Sequence, residues 1–272
     1  MYSALMRRLV GSVCLVATLG AGVAGASEPM AFRSIWNTDE ADQEISEPAV
    51  LNAEVVTASD WPAAVFLDGS EQCSATLVGP RVLLTAAHCL SGAAATLSVG
   101  AFTFHLECKA NEAYPSTDQT QDVGVCALLD GEVTDRRILF ENVNTNESLI
   151  AKVDTRVLLT GFGCTSADVR ESDRRYRVGS VPVSKPSGGG NRVEVTGDVA
   201  SCYGDSGGAA FFPLNKEGSR RVQVGINERG NLSTSYLTSL SSHTVQSFLG
   251  TWRTALGVKV CGLDPGVDRC RP

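Results

Sequence analysis

Short runs of apolar and β-branched residues recur along the chain, and turn-forming residues separate them. These runs are Ala63–Leu67, Ser74–Val78, Arg81–Thr85, Ala95–Phe104, Val123–Leu129, Arg156–Gly161, Arg192–Val195, Ala209–Phe212 and Arg221–Ile226. Short runs bounded by Gly, Pro, Asn and Asp are typical of the strands of an all-β barrel or sandwich. The pattern therefore predicts an all-β fold.

A different period appears near the end of the chain. Apolar residues there recur on one face of a predicted helix: Val245, Phe248, Leu249, Trp252 and Leu256. Ser241 or Ser242 precedes this run and can serve as its N-cap. We therefore expect one C-terminal helix.

Residues 1–26 have the features of a secretory signal. Two arginines precede an apolar run, Leu9 to about Val23, and Ala24-Gly25-Ala26 offers a cleavage site of small residues. The alternative is a membrane anchor, but the run is shorter than the roughly 20 apolar residues that a spanning helix needs. We expect a secreted or periplasmic protein with no membrane attachment in its mature form.

Residues 27–49 hold six acids against one Arg and show no strand or helix period, which is typical of an acidic pro-segment or tether. The composition of the whole chain is ordinary for a globular protein, with 19% charged and 43% hydrophobic residues. The net charge of -7 provides no basic patch, so we expect no nucleic-acid partner.

Export changes the interpretation of the nine cysteines. Removal of Cys14 with the signal leaves an even number, which suggests disulfides in an oxidising compartment. The alternative is a zinc site, but the chain has no C-x-x-C and only three histidines. We expect no metal and no other cofactor.

Three fragments carry candidate chemistry. LLTAAHCL places His88 at the end of a β-like run, QDVGVCAL places Asp122 at the head of another, and VASCYGDSGG surrounds Ser206 with glycines. Each fragment alone has an ordinary structural explanation: a structural histidine, a strand-end acid and a tight surface turn.

Together, in the order TAAHC, DVGV and GDSGG, the fragments closely resemble the chymotrypsin-like (trypsin-fold) serine proteases. The resemblance covers about residues 50–257 of a peptidase domain at 50–272. It implies two six-stranded antiparallel β-barrels, at about 50–150 and 151–257, with the C-terminal helix in the second part and a tail at 258–272. The active site would lie in the cleft between the barrels.

The resemblance also implies a role for each residue. Ser206 is the nucleophile, His88 the general base, and Asp122 orients His88 and stabilises its positive charge. The backbone N–H groups of Gly204 and Ser206 form the oxyanion hole.

The activity implied is that of a serine endopeptidase, expected to be a monomer, that cleaves proteins or peptides through an acyl-enzyme. The alternatives are a catalytically inactive homologue that acts as a binding or regulatory module, and an esterase of the same fold.

The family's activation switch would fall on Val50 and Asp205. In the family, a freed α-amino group pairs with the acid before the nucleophile, and this orders the oxyanion loop and the specificity pocket. Here the preceding residue is Ala49 rather than Arg or Lys, so we expect an activating protease that accepts small residues, such as this protein itself. A protein inhibitor is a further possible partner.

The specificity pocket would be formed by Ala200 at its base, with Gly230 and Thr234 as walls. Ala200 offers no carboxylate to compensate a buried substrate Arg or Lys. An open glycine wall narrowed by Thr234 favours small to medium apolar side chains at the cleaved position, and an aromatic preference is the alternative.

The resemblance implies the pair Cys73–Cys89 beside the histidine. The family's usual partner of Cys202 is missing, and we expect Cys164 to replace it. Cys108–Cys126 would brace the strand that bears Asp122, and Cys261–Cys270 would close the tail. Eight cysteines allow 105 pairings, so the connectivity beyond Cys73–Cys89 stays open.

Glu228 and Arg229 depart from the Ser and Trp that the family has at these positions. A Glu near Asp122 would disfavour the ionised form of that acid unless Arg229 or another cation compensates. The alternative is that both side chains point to solvent.

Overall fold

The computed structural model describes residues 30–37, 52–68, 72–92, 94–114, 119–166, 169–231 and 233–272. The predicted signal at 1–26 and the proposed cleavage site between Ala49 and Val50 lie outside these residues. None of the described helices is long and apolar enough to cross a membrane.

The described residues form sixteen strands and one α-helix, besides short 3-10 turns. Their bounds are β1 Met30–Ser34, β2 Glu54–Val55, β3 Ala64–Asp68, β4 Cys73–Gly79, β5 Val82–Thr85, β6 Ala94–Val99, β7 Phe102–Ala110, β8 Gly124–Leu128, β9 Arg156–Gly161, β10 Cys164–Ser166, β11 Val169–Ser172, β12 Arg177–Lys185, β13 Arg192–Thr196, β14 Ala209–Pro213, β15 Arg221–Gly230, β16 Thr234–Ser239 and α1 His243–Leu256.

Two barrels account for most of these strands. The first is closed in the order β1-β3-β4-β5-β8-β7-β6. The second runs β13-β16-β15-β14-β9-β12 and closes by pairing of β12 with β13, while β2 adds to the outer edge of β12. The predicted architecture of two β-barrels and a C-terminal helix is confirmed.

The first barrel differs from the prediction because it has seven strands instead of six. Its extra strand, β1, comes from the segment 27–49, for which we expected no strand. That expectation is wrong for Met30–Ser34, where Met30, Phe32 and Ser34 alternate as buried positions with less buried neighbours. The alternation of buried and less buried positions spans only five residues. Because the residues around it are acidic, the sequence did not predict a strand there.

Other strand boundaries also differ. The run Ala95–Phe104 is a hairpin, with β6 and β7 joined at Gly100. Strands β12 and β16 were missed because β12 contains Gly and Pro and because β16 is rich in Ser and Thr. The N-terminal barrel is not confined to 50–150 either, since β1 precedes that range and β2, inside it, pairs with the second barrel.

The C-terminal helix follows the predicted periodicity. Ser242 occupies the N-cap position, but its Oγ donates to Asn191 Oδ1 at 2.5 Å instead of capping the helix. Val245 and Leu249 are buried in the core of the first barrel. The helix therefore follows the second barrel in sequence and packs against the first.

A buried ion cluster joins the tail to both barrels. Arg221 on β15 contacts Glu141 at 2.5 Å, and Arg271 from the tail contacts both oxygens of the same carboxylate at 3.0 Å. Both arginines also donate to the carbonyl oxygen of Asp60, and Arg221 lies 3.3 Å from the centre of the Trp61 ring. One carboxylate thus compensates two buried cations.

Glu141→Gln should lower the free energy of unfolding by about 3–5 kcal/mol, because it leaves two buried guanidinium groups without their anion. The control is Glu194→Gln, which breaks an exposed pair with Lys185 and should cost less than about 1 kcal/mol. Urea unfolding measures both values. Equal losses in the two variants would contradict this description of the cluster.

Candidate active site

His88 lies in a short turn that follows β5. This strand ends at Thr85, and a 3-10 turn over Ala87–Cys89 carries the histidine to the end of the first barrel. The disulfide Cys73–Cys89 anchors the turn to the start of β4. The His88 side chain remains 28% exposed and is therefore accessible from solvent.

Asp122 lies just before β8 and holds the His88 ring. Its Oδ2 lies 2.5 Å from His88 Nδ1, and its Oδ1 accepts a hydrogen bond from the His88 backbone N–H at 2.9 Å. Asp122 is only 1% exposed, and its own N–H donates to Thr238 Oγ1 of the second barrel at 3.1 Å. Because Nδ1 is held by the carboxylate, Nε2 is the ring nitrogen suited to proton transfer.

Ser74 fastens the Ser206 loop to the first barrel. The Ser74 backbone N–H donates to Ser206 O at 2.7 Å, and Ser74 Oγ donates to Gly204 O at 2.7 Å. The same Oγ accepts the Phe162 N–H at 2.9 Å. A buried side chain of one barrel therefore joins two loops of the other.

Gly207 brings the Ser206 loop against the turn that bears His88. Its φ is 81°, and a Cβ there would lie 2.3 Å from both Ser74 O and Thr85 Oγ1. Only glycine permits this approach and this backbone conformation. The structure thus brings together the loops that carry His88 and Ser206, with Asp122 behind His88.

Two backbone N–H groups of the same loop are available to a ligand. In the part of the chain that the structure describes, neither Gly204 N–H nor Ser206 N–H donates to a protein acceptor. Gly204 has a φ of 91°, as expected for a tight turn of alternating backbone direction. These are the two donors predicted for the oxyanion hole.

Asp205 is fully buried behind this loop. Its carboxylate accepts N–H groups from Gly163 and Cys202, each at 2.8 Å. Burial raises the pKa of Asp205 to about 7, and the two hydrogen bonds together with the charge of Arg177 only partly oppose this rise. The Arg177 guanidinium itself contacts the Asp173 carboxylate.

The chain just after Val50 is docked beside the same region. Asn52 Nδ2 donates to the carbonyl oxygen of Asp198 at 2.7 Å, and Ala53 is buried against Gly179. Val50 itself lies outside the described residues. The segment that follows Val50 is nevertheless attached to the loop that precedes Ala200.

The predicted pocket residues are only partly brought together. Ala200, the predicted base, is buried. A Cβ at Gly230, a predicted wall, would lie 2.8 Å from the carbonyl oxygen of Ser201, the residue next to Ala200. Thr234 Oγ1 instead lies 3.1 Å from Thr196 Oγ1. The neighbouring Ser235 is the residue whose Oγ accepts the Ser201 N–H, at 2.7 Å.

Glu228 is buried, which overturns the alternative that it points to solvent. Its carboxylate accepts hydrogen bonds from Arg192, at 2.6 and 3.2 Å, and lies 3.3 Å from Arg229. Burial raises the pKa of Glu228, repulsion from Asp122 adds to this rise, and both arginines oppose it. Arg192 is thus a compensating cation that the sequence did not reveal, while Arg229 remains partly exposed.

Burial also raises the pKa of the Tyr114 hydroxyl, and the charges of Asp122 and Glu228 raise it further. Arg192, Ser74, Thr238 and Ser235 were all missed by sequence reasoning. Each acts through a contact with a distant strand or loop, and no local motif marks such a contact.

The four predicted cysteine pairs are the disulfides of the structure. Cys73–Cys89 supports the histidine turn, Cys108–Cys126 joins β7 to β8, and Cys261–Cys270 closes the tail. Cys164–Cys202 ties β10 to the loop before Ser206.

Comparison with known proteins agrees with this geometry. A family model described as Trypsin matches residues 50–238, a range that contains His88, Asp122 and Ser206 but not β1. Brachyurin from Leptuca pugilator is 28% identical over 185 residues, which cover 59% of this chain and 78% of that protein.

Arg192→Met should lower the free energy of unfolding at about pH 7 by about 3–5 kcal/mol, because it leaves Glu228 buried without its bidentate partner. Since the pKa of Glu228 is already raised, the acid takes up a proton as the pH falls, and the loss should shrink toward about pH 4.

The matched control is Arg229→Met, which removes the more exposed partner and should cost less than about 1 kcal/mol. Urea unfolding of both variants at the two pH values is the measurement. A loss of the same size for both, unchanged by pH, would refute the role assigned to Arg192.

Proposed function

The chain belongs to the trypsin family of serine proteases, and on that premise we propose that it is a secreted serine endopeptidase with the triad His88, Asp122 and Ser206. The observation that carries the proposal is the pair of hydrogen bonds from His88 to the buried Asp122 carboxylate. The Ser206 loop is clamped against the same turn through Ser74 and Gly207.

The reaction follows from these positions. Ser206 Oγ attacks the peptide carbonyl carbon while His88 Nε2 takes its proton, and Asp122 stabilises the imidazolium. The negative oxygen of the tetrahedral intermediate is bound by the N–H groups of Gly204 and Ser206. His88 then gives the proton to the leaving amine, and an ester of Ser206 remains.

Water completes the cycle. His88 takes a proton from the water, whose oxygen attacks the ester carbonyl, and the second tetrahedral intermediate is stabilised by the same two N–H groups. Its collapse returns the proton to Ser206 Oγ and releases the new carboxylate. The protein's own side chains supply every proton transfer in this cycle.

Activation would proceed by cleavage between Ala49 and Val50. The freed amino group would pair with Asp205, a buried carboxylate that has only two backbone donors. Support comes from the docking of Asn52 and Ala53 beside Asp198, two to three residues beyond Val50. An ammonium partner would offset the burial that disfavours the ionised form of Asp205.

The pocket favours small to medium apolar residues at the cleaved position. Ala200 provides no charge for a basic substrate side chain. The close approach of Gly230 to Ser201 leaves little width for an aromatic ring. We assign the opposite wall to Ser235 instead of Thr234, because Ser235 is the residue that contacts Ser201. A preference for small residues would also fit a cut after Ala49.

A fluorophosphonate probe tests the nucleophile. The secreted wild-type protein should gain the mass of one adduct and Ser206→Ala none, with peptide hydrolysis reduced by about 10⁶-fold. Ser98→Ala, a serine on the surface of β6, should label like the wild type.

The intact mass also reports the first residue. A chain that starts at Val50 and carries no adduct after treatment with the probe would contradict the assignment as an endopeptidase. It would favour a catalytically inactive homologue that acts as a binding or regulatory module. Hydrolysis of esters without hydrolysis of peptides would favour an esterase.

In the protein that has not been cut between Ala49 and Val50, burial of Asp205 should make the free energy of unfolding depend on pH. The pKa of Asp is about 3.9 in an unfolded chain and about 7 when Asp205 is buried here. The folded form binds more protons in that window, so its stability falls as the pH rises from about 4 to about 7. Asp205→Asn should remove this decline.

The measurement is urea unfolding across this pH range, with Ser206→Ala as the background so that the chain cannot cut itself. Ser206→Ala alone and Ser206→Ala with Asp205→Asn are compared. Identical pH dependence in the two proteins would show that Asp205 imposes no such cost.

A further inference from the structure

Strand β1 completes the first barrel. It pairs antiparallel with β3 from Ala31↔Asp68 to Ser34↔Val65, and parallel with β6 from Met30↔Ala95 to Arg33↔Ser98. Strands β3 and β6 are connected through β1 in the barrel order and do not pair with each other. Without β1, the barrel would have two open strand edges.

The side chains of this segment are part of the core. Phe32 is fully buried, and Met30 and Ile35 are 8% and 4% exposed. Phe32 and Met30 belong to the same apolar cluster as the strands that precede His88 and follow Asp122. Burial of this kind is characteristic of a strand that belongs to the fold rather than of a passing linker.

Polar contacts continue beyond the strand. Asn37 Nδ2 donates to Gly100 O at 2.7 Å, and Gly100 N–H donates to Asn37 Oδ1 at 2.7 Å. The Arg137 guanidinium lies 4.4 Å from the centre of the Trp36 ring, and Arg33 pairs with Asp68. The segment is therefore held from Met30 to Asn37.

The proposed cut between Ala49 and Val50 would leave all of these contacts intact but would break the chain. Residues 27–49 contain no cysteine, so no disulfide could hold the released piece. The region that matches the family starts at residue 50, so the family likeness does not account for β1.

We propose that the segment ending at Ala49 stays bound after this cut, as a non-covalent seventh strand of the first barrel. The mature protein is then a two-chain enzyme whose small chain occupies the groove between β3 and β6. This inference rests on the proposed activation between Ala49 and Val50. The small chain supports activity because β3 pairs with β4, which carries Ser74.

The test is gel filtration of the cleaved protein, followed by intact mass of the main peak. Under native conditions, a peptide that ends at Ala49 should elute with the chain that starts at Val50. In a denaturant without reductant, the two should separate. If the protein in the native peak lacks the small chain and still hydrolyses peptide substrates at the full rate, the proposal is wrong.

Variants separate binding from folding. Phe32→Ala should increase dissociation of the small chain by at least about 10-fold, and peptide hydrolysis should fall as the chain is lost. Added synthetic peptide of residues 27–49 should restore hydrolysis, which a merely misfolded protein would not allow. Ala31→Ser, on the outer side of the same strand, should behave like the wild type. Failure of the peptide to restore hydrolysis would overturn the proposal.

The same masses separate this proposal from the proposed function. A fluorophosphonate adduct on Ser206 without the bound peptide refutes the two-chain enzyme and leaves the endopeptidase standing. Bound peptide without an adduct refutes the endopeptidase and leaves the strand. A labelled chain that never starts at Val50 refutes the activation site, and the two-chain enzyme with it.

Discussion

The docking of the Ser206 loop onto the first barrel is the constraint on which the site depends. The proposed triad takes His88 and Asp122 from one barrel and Ser206 from the other, so neither barrel holds it alone. Ser74 makes the connection with its backbone N–H and its hydroxyl, and Gly207 permits the close approach. Breaking a buried hydrogen bond of this kind is costly, because no water molecule replaces the lost partner.

Three buried carboxylates surround this junction, and each is satisfied differently. Asp122 accepts two hydrogen bonds from His88, Asp205 accepts two backbone N–H groups, and Glu228 is paired with Arg192. Buried charge is costly without a partner. Of these three carboxylates, Asp205 is the one whose hydrogen bonds come from backbone N–H groups alone, which is why we regard it as the part of the site that a new amino terminus would complete. Glu228 shows that this protein tolerates a second acid beside Asp122 by supplying a dedicated cation.

Much of this arrangement could be predicted from the sequence, because the informative signals were local. The motifs around His88, Asp122 and Ser206 are contiguous. The resemblance implied the pair Cys73–Cys89, while the other three pairs were expectations among the 105 pairings that eight cysteines allow. The errors concern contacts between distant segments. Strand β1 is only five residues long. Its role of closing the barrel between β3 and β6, which do not pair with each other, follows from the topology and not from the local sequence. Thr234 and Ser235 are neighbours on β16 and point to opposite faces of the sheet, and the contact with Ser201 is made by Ser235.

In the proposed mechanism, His88 and Ser206 come from different barrels and act as one catalytic unit. The most direct measurement is kcat/KM for a peptide substrate with the cleaved forms of His88→Ala, Ser206→Ala and the double variant. Because each residue is useless without the other, the double variant should lose no more than about what either single variant loses. Losses that multiply in the double variant, or a His88→Ala protein with nearly full activity, would contradict the claim.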